Sequence, residues 1–301
     1  PIMPTHILSA RSARVRLAFA FMICFSPSQL LAQTRWTANG VPVCVVPGCS
    51  GFEPMICGDG SGGALVAWNR DPTFADRNIY LHRVRHNGVL SREWPPKGTP
   101  ATRASDDQIL QGLVPDGQGG AFVVWYDWPN YDIYAQHVLG NGQIAPGWPA
   151  DGLPVCVMPG VQYFPALVED GAGGVLIVWE DGRLGQSNLD IYGLHLRADG
   201  TRVDSWPENG LGICTADQSQ GVPLVVSDGD GGFLVAWGDY RNGLNEVFGQ
   251  RLLMSGEVAS GWPVDGRLMI PDGGGGRSHT HLVPDGTGGA WTAVHHPFTS
   301  P

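Results

Sequence analysis

Short apolar segments alternate with turn residues along most of the chain, with no helix between them. The motif Asp-Gly-x-Gly-Gly starts at Asp59, Asp116, Asp170, Asp228 and Asp285, at spacings of 57, 54, 58 and 57 residues. Self-similarity at a fixed period governs how everything else is read. A short apolar run stands ahead of the turn, as at residues 165–168 and 223–226. Asp-Gly is a strong hairpin signal, so each copy predicts a strand A turning into a strand B. Strand B, for example residues 121–125, is apolar at consecutive positions, as expected for a strand covered on both faces. It ends in Trp68, Trp125, Trp179 and Trp237, with Val294 in the fifth copy.

A third segment opens at Asn78, Asp132, Asp190 and Glu246, each followed by Ile or Val and then Tyr or Phe. It alternates in polarity and predicts a half-exposed strand C. A Trp-Pro pair follows at Trp94, Trp148, Trp206 and Trp262, leading into a strand D such as residues 152–156 or 210–214. A proline in strand D suits a sheet edge, because proline cannot donate to a ladder. Four antiparallel strands per copy of about 57 residues describe a blade of a β-propeller. Tandem immunoglobulin-like sandwiches would need about 100 residues per unit and are excluded. The predicted fold is all-β, a propeller with about five visible blades, the last incomplete.

At these residues, with repeats of the type Asp-Gly-x-Gly-Gly-x-x-Val-x-Trp and Asp-Ile-Tyr-x-Gln-x-Leu, the chain resembles secreted bacterial β-propeller repeat proteins. The resemblance spans residues 36–294 and implies the framework, with no shared chemistry. Residues 36–44 match a strand D, while the last copy supplies strand A near residues 281–283 and strand B over 289–294. Two readings stay open: a five-bladed ring closed by the N-terminal strand, or a truncated ring that had more blades.

The N-terminal segment follows a different pattern. Arg11, Arg14 and Arg16 precede nine apolar residues at 17–25, then a Pro- and Ser-containing stretch ending at Ala32. This is the layout of a secretory signal, removed near residue 33; a membrane span would need about 20 apolar residues. Residues 1–33 are therefore expected to be a signal peptide and 34–301 the propeller domain, secreted, extracellular or periplasmic, without membrane insertion after cleavage. The segment holds three of the 18 basic residues and no acid, leaving 15 against 28 acidic, a net charge of −13. No basic stripe occurs, which argues against nucleic acid as a partner.

Candidate chemistry is then weighed against recurrence. Nine of the eleven tryptophans sit at repeat positions and read as packing residues; Trp128 and Trp291 do not. Cys44, Cys156 and Cys214 share one blade position and Cys57 another, too far apart to bridge, so buried free thiols are expected. Cys49, five residues after Cys44, leaves a local disulfide open. His279, His281, His295 and His296 lack a completing ligand at zinc spacing. Asp228 and Asp230 lack the further acids of a calcium loop. No catalytic, cofactor or metal set is expected.

Acids and arginines recur after strand B at Arg70, Asp71, Asp127, Asp181, Arg183, Asp239 and Arg241, and the repetition favours a structural ion pair or loop anchor. Binding usually lives in variable loops on a rigid scaffold, and here those are the B–C loops. The candidate ligand face is Arg70, Asp71, Trp128, Tyr131, Arg183, Tyr240 and Arg241, with the three aromatics expected to be exposed. The expected function is a binding or scaffolding module for an extracellular protein or glycan. The alternatives are a propeller enzyme on a polysaccharide or lactone-like substrate, and a carbohydrate-binding lectin.

Overall fold

The computed structural model describes residues 39–44, 51–70, 77–270 and 278–295. The predicted signal segment, Cys49 and Asp71 lie outside the described residues. Among the described residues there is no helix. Blade 1 consists of β1 (Gly51–Gly58), β2 (Ala64–Arg70), β3 (Asn78–Val84) and β4 (Thr99–Pro100). Blade 2 holds β5 (Asp107–Pro115), β6 (Ala121–Trp128), β7 (Ile133–Val138) and β8 (Leu153–Cys156). Blade 3 holds β9 (Gln162–Glu169), β10 (Val175–Asp181), β11 (Asp190–Leu196) and β12 (Leu211–Cys214). Blade 4 holds β13 (Gln220–Ser227), β14 (Gly232–Asp239), β15 (Glu246–Leu253) and β16 (Arg267–Ile270). In the fifth copy, β17 (Ser278–Pro284) pairs with β18 (Ala290–His295). Each complete sheet runs in simple order, so strands A and D are its edges. The A strands of successive blades pack on one another and form the inner wall. The chain is a β-propeller.

The Asp-Gly motifs form one turn, built five times. In each, the Asp Oδ1 accepts hydrogen bonds from the backbone N–H two and four residues on, as Asp116 does from Gln118 (2.7 Å) and Gly120 (2.8 Å). The same pair recurs at Asp59, Asp170, Asp228 and Asp285. The last glycine is required by close approach: a Cβ on Gly120 would stand 2.3 Å from the Val138 carbonyl and 2.4 Å from Asp116 Oδ2.

The second carboxylate oxygen turns to strand C of its own blade. Asp59 meets Arg83, Asp116 meets His137, Asp170 meets His195 and Asp228 meets Arg251, at 2.7–3.0 Å. Burial pushes Asp116 and Asp170 upward, but the histidine and the two backbone N–H groups outweigh it and hold both below the usual range. At Asp59 burial is likewise outweighed, by Ser61, Arg83 and Gly63, and the carboxyl is held at about 2.

The strand C arginine or histidine and the Trp of the Trp-Pro pair then reach one carbonyl in the next blade. Trp148 Nε1 donates to Ala198 O (2.8 Å) and His137 Nδ1 lies 3.2 Å from it. Trp206 and His195 share Met254 O, and Trp94 and Arg83 share Gly140 O. Blade is thus locked to blade by a bond set that the repeat reproduces at every junction between complete blades.

The tryptophans behave as packing residues. Trp68, Trp94, Trp125, Trp148, Trp179, Trp206 and Trp237 are all buried; Trp262 is half-buried and Trp36 lies outside the described residues. The strand B indoles press on the glycine that opens strand D: a Cβ on Gly210, at φ +95, would stand 2.5 Å from Trp179. Cys57, Cys156 and Cys214 are free, with thiols pushed up to about 12 chiefly by burial. Cys44 departs from expectation and is disulfide-bonded. Strand A also differs from the apolar run expected at 165–168: β9 begins at Gln162 and accommodates Pro165 in a bulge, with Phe164 at φ +47. The bulge spares a ladder position that proline could not fill.

Candidate functional site

The side of the propeller opposite the Asp-Gly turns is built from the B–C loops and the starts of the A strands, and there the blades differ. In blades 3 and 4 the end of strand B closes on itself. Trp179 Nε1 donates to Asp181 Oδ2 (2.7 Å), and Arg183 grips the same carboxylate through Nε and Nη2. The guanidinium also donates to Asn209 O and lies 3.9 Å over the Tyr192 ring. Trp237, Asp239, Arg241, Asp265 and Phe248 repeat the arrangement. Nε and Nη2 of Arg183 and Arg241 are therefore engaged, and Nη2 also reaches the cysteine that ends the preceding blade, Cys156 (3.4 Å) and Cys214 (3.1 Å). Each arginine, placed on the candidate ligand face by the sequence, thus forms an ion pair with the aspartate two residues before it.

Blade 2 lacks that closure. Asp127 still accepts from Trp125 Nε1 (3.1 Å), but the arginine position is Pro129, joined to Trp128 by a cis peptide bond. Burial, with Asp132 and Asp106 nearby, pushes the Asp127 carboxyl up to about 6 against the indole bond. Burial also raises Asp132. In blade 1 the acid is replaced by Arg70, which stands 5.0 Å over Tyr80 and leaves Trp68 Nε1 buried without a partner.

Over the unclosed end of blade 2 lies a run of aromatic rings. Trp128 is 51% exposed and meets Tyr131 edge-on at 5.0 Å. Tyr131 meets Tyr163 of blade 3 at 4.7 Å and Tyr126 at 5.8 Å, and Phe164 extends the run beyond Tyr163, 49% exposed. Tyr131 is half-buried where exposure was expected. Its backbone is left-handed at φ +62, which folds the ring back between Trp128 and Tyr163. Glu53 and Arg77 of blade 1 stand close enough to act on the Tyr126 phenol, and Asn69 Nδ2 donates to Glu53 (2.8 Å).

Tyr240, the third aromatic expected on this face, is exposed but lines a separate cavity of about 210 Å³ between blades 3 and 4. Of the seven candidate residues the structure thus brings together Trp128 and Tyr131, and leaves Tyr240, Arg70, Arg183 and Arg241 elsewhere. Tyr126, Tyr163, Phe164 and Glu180 were missed: they lie just outside the strands expected at 121–125 and 165–168 and their counterparts, and the observed strands β6, β9 and β10 run longer and include them. Their signal was positional: residues just after the strand B tryptophan, and just before the strand A proline, vary where their neighbours repeat.

No protein-family model matches the chain, and no curated protein matches it. Among solved structures, a puromycin hydrolase superposes with a TM-score of 0.51 at 15% identity, over 87% of this chain and 38% of that one. The chain thus spans well under half the length of that enzyme. An α-L-arabinanase of Penicillium chrysogenum complexed with arabinobiose gives 0.42 at 12% identity, over 84% and 77% of the two chains. An endo-arabinase of Bacteroides thetaiotaomicron gives 0.37 at 12% identity, over 87% and 98%. At such identities the likeness bears on the fold alone.

Proposed function

We propose that this chain is an exported carbohydrate-binding propeller that takes its glycan on the loop side of blades 2 and 3. The observation that carries the reading is the aromatic run from Trp128 through Tyr131 and Tyr163 to Phe164, exposed at both ends. Aromatic faces offer a large apolar area with a polar handle on Tyr and Trp. The flanking carboxyls of Asp127, Asp132 and Glu53 are acceptors for ligand hydroxyls. A nucleic acid would present phosphates to a chain of net charge −10 and find no basic stripe.

A second reading, hydrolysis of the bound glycan, is favoured by Asp127, a carboxyl tuned upward beside the aromatic run. General-acid catalysis needs such a group. A glycan array probed with the wild type and with Trp128→Ala/Tyr131→Ala tests the main reading. Selective glycan binding by the wild type, lost in a variant of unchanged Tm, is expected. Absence of any glycan signal from the folded wild type contradicts it. Release of reducing ends from the bound glycan, lost in Asp127→Asn with binding retained, would establish hydrolysis.

A further inference from the structure

The cavity beside Tyr240 has an origin visible in the repeat. In each blade the residue after the strand B tryptophan pairs across the ladder with a residue at the start of strand A. These pairs are Asn69 with Phe52, Tyr126 with Ile109, and Glu180 with Tyr163. In blade 4 both partners are glycine, Gly238 opposite Gly221. Where the other complete blades place two side chains, blade 4 leaves a hollow.

Two oxygens border it. A Cβ on Gly221 would stand 2.7 Å from Glu180 Oε1, and one on Gly238 would stand 2.6 Å from Asn245 Oδ1. The two glycines are directly opposed and line one cavity with Glu180 and Asn245, so both oxygens border the same hollow. Asn245 Oδ1 is buried without a hydrogen-bond partner. Gln220 Oε1 is unpartnered too, but so are the equivalent oxygens of Gln108 and Gln162, so it belongs to the repeat and not to the hollow. Leu189, Val222 and Tyr240 supply apolar wall, and among the described residues no Lys, Arg or His lines the cavity.

The wall therefore offers side-chain acceptors and a negative charge with no cation to answer it. A hydroxyl both donates and accepts, whereas an ammonium donates three times and accepts nothing. Charge-assisted bonds to a carboxylate are the strong ones, and a cation beside an aromatic ring gains further. At about 210 Å³ the space is below the ~300–1,000 Å³ of drug-sized sites, so it suits one small group.

We propose that the blade 4 hollow binds a primary ammonium group, carried by a small amine or an amino sugar, held between the Glu180 carboxylate and Asn245 Oδ1 with its carbon stem against Tyr240. Burial pushes the Glu180 carboxyl upward, offset in part by the Val222 N–H, and a bound cation favours its charged form. This site uses different residues from the aromatic run and stands whether or not that run binds a glycan.

Calorimetric titration of the whole chain with ethylammonium chloride, glucosamine and N-acetylglucosamine tests it, alongside Glu180→Gln and Gly238→Ala. Glu180→Gln keeps an acceptor for the Val222 N–H and removes the charge; Gly238→Ala intrudes on Asn245 Oδ1. Saturable binding of an ammonium-bearing probe is expected, with none for the N-acetyl sugar and at least a tenfold weakening in both variants at retained Tm. Binding of ethylammonium as well as glucosamine shows that the ammonium suffices, and binding of glucosamine alone assigns the source to an amino sugar. The proposal is overturned by three results: no saturable binding of either amine, equal binding of the N-acetyl sugar, or wild-type affinity in either folded variant. Should Glu180→Gln fail to fold, Gly238→Ala decides alone; should both fail, the wild-type preference for glucosamine over its N-acetyl form decides.

Discussion

The two sides of the propeller are built on opposite plans. On the turn side, Asp59, Asp116, Asp170 and Asp228 make the same backbone bonds and meet the same strand C position, and the first three feed the same link to the next blade. On the loop side the equivalent positions hold Asn69, Tyr126, Glu180 and Gly238, and the Asp–Arg closure is present in blades 3 and 4 only among the described blades. Repetition marks the residues that hold the ring together, and its failure marks those left to do something else. The failures cluster: blade 2 loses its arginine beneath the aromatic run, and blade 4 loses a pair of side chains at the cavity.

The largest effect that sharpens this comparison belongs to a repeat residue. Trp179→Ala removes a fully buried indole and should cost about 3–5 kcal/mol by denaturant unfolding. A change below about 1 kcal/mol would remove the strand B tryptophans from the scaffold. Next comes the turn. Asp170→Ala strips acceptors from the Ala172 and Gly174 N–H groups and from His195, and should cost about 1–3 kcal/mol. Its pH dependence has a definite sign. A carboxyl held low in the fold contributes fully above its unfolded pKa and loses that contribution as pH falls through the folded value. For Asp59 the window runs from the ordinary value near 3.8 down to about 2.

Asp190 has the opposite sign and a smaller expected effect. It is 0% exposed, both its oxygens lack hydrogen-bond partners, and burial with Asp181 and Asp265 pushes it up to about 6. The folded protein therefore keeps this proton to higher pH than the unfolded chain. The penalty is absent below the unfolded pKa and grows as pH rises to about 6. Asp190→Asn should raise the Tm by a few degrees at pH 7 and leave it unchanged at pH 4. An unchanged Tm at both values would show that the carboxylate is solvated.

These contrasts explain what could be read from the chain. The Asp-Gly turns, the strand B tryptophans and the edge position of strand D were legible because each is specified by a short local pattern repeated at a fixed period. The ion pairs were legible as structural for the same reason. The aromatic run was half legible. Trp128 and Tyr131 follow the strand B tryptophan closely in sequence, whereas Tyr163 belongs to the next blade and joins them across a junction that sequence spacing does not encode. The cavity at Gly221 and Gly238 was not legible at all, because a missing pair of side chains shows only once the cross-strand register is known.

The central claim is that stability and binding reside on opposite sides, and parallel melting and glycan titration of two variant sets tests it most directly. The account predicts that Trp128→Ala/Tyr131→Ala loses binding, at about 2 kcal/mol or more per residue, with unchanged Tm, while Asp116→Ala/Asp170→Ala lowers the Tm and keeps its affinity below the transition. Loss of binding in the folded turn variant, with affinity retained in the loop variant, would contradict it.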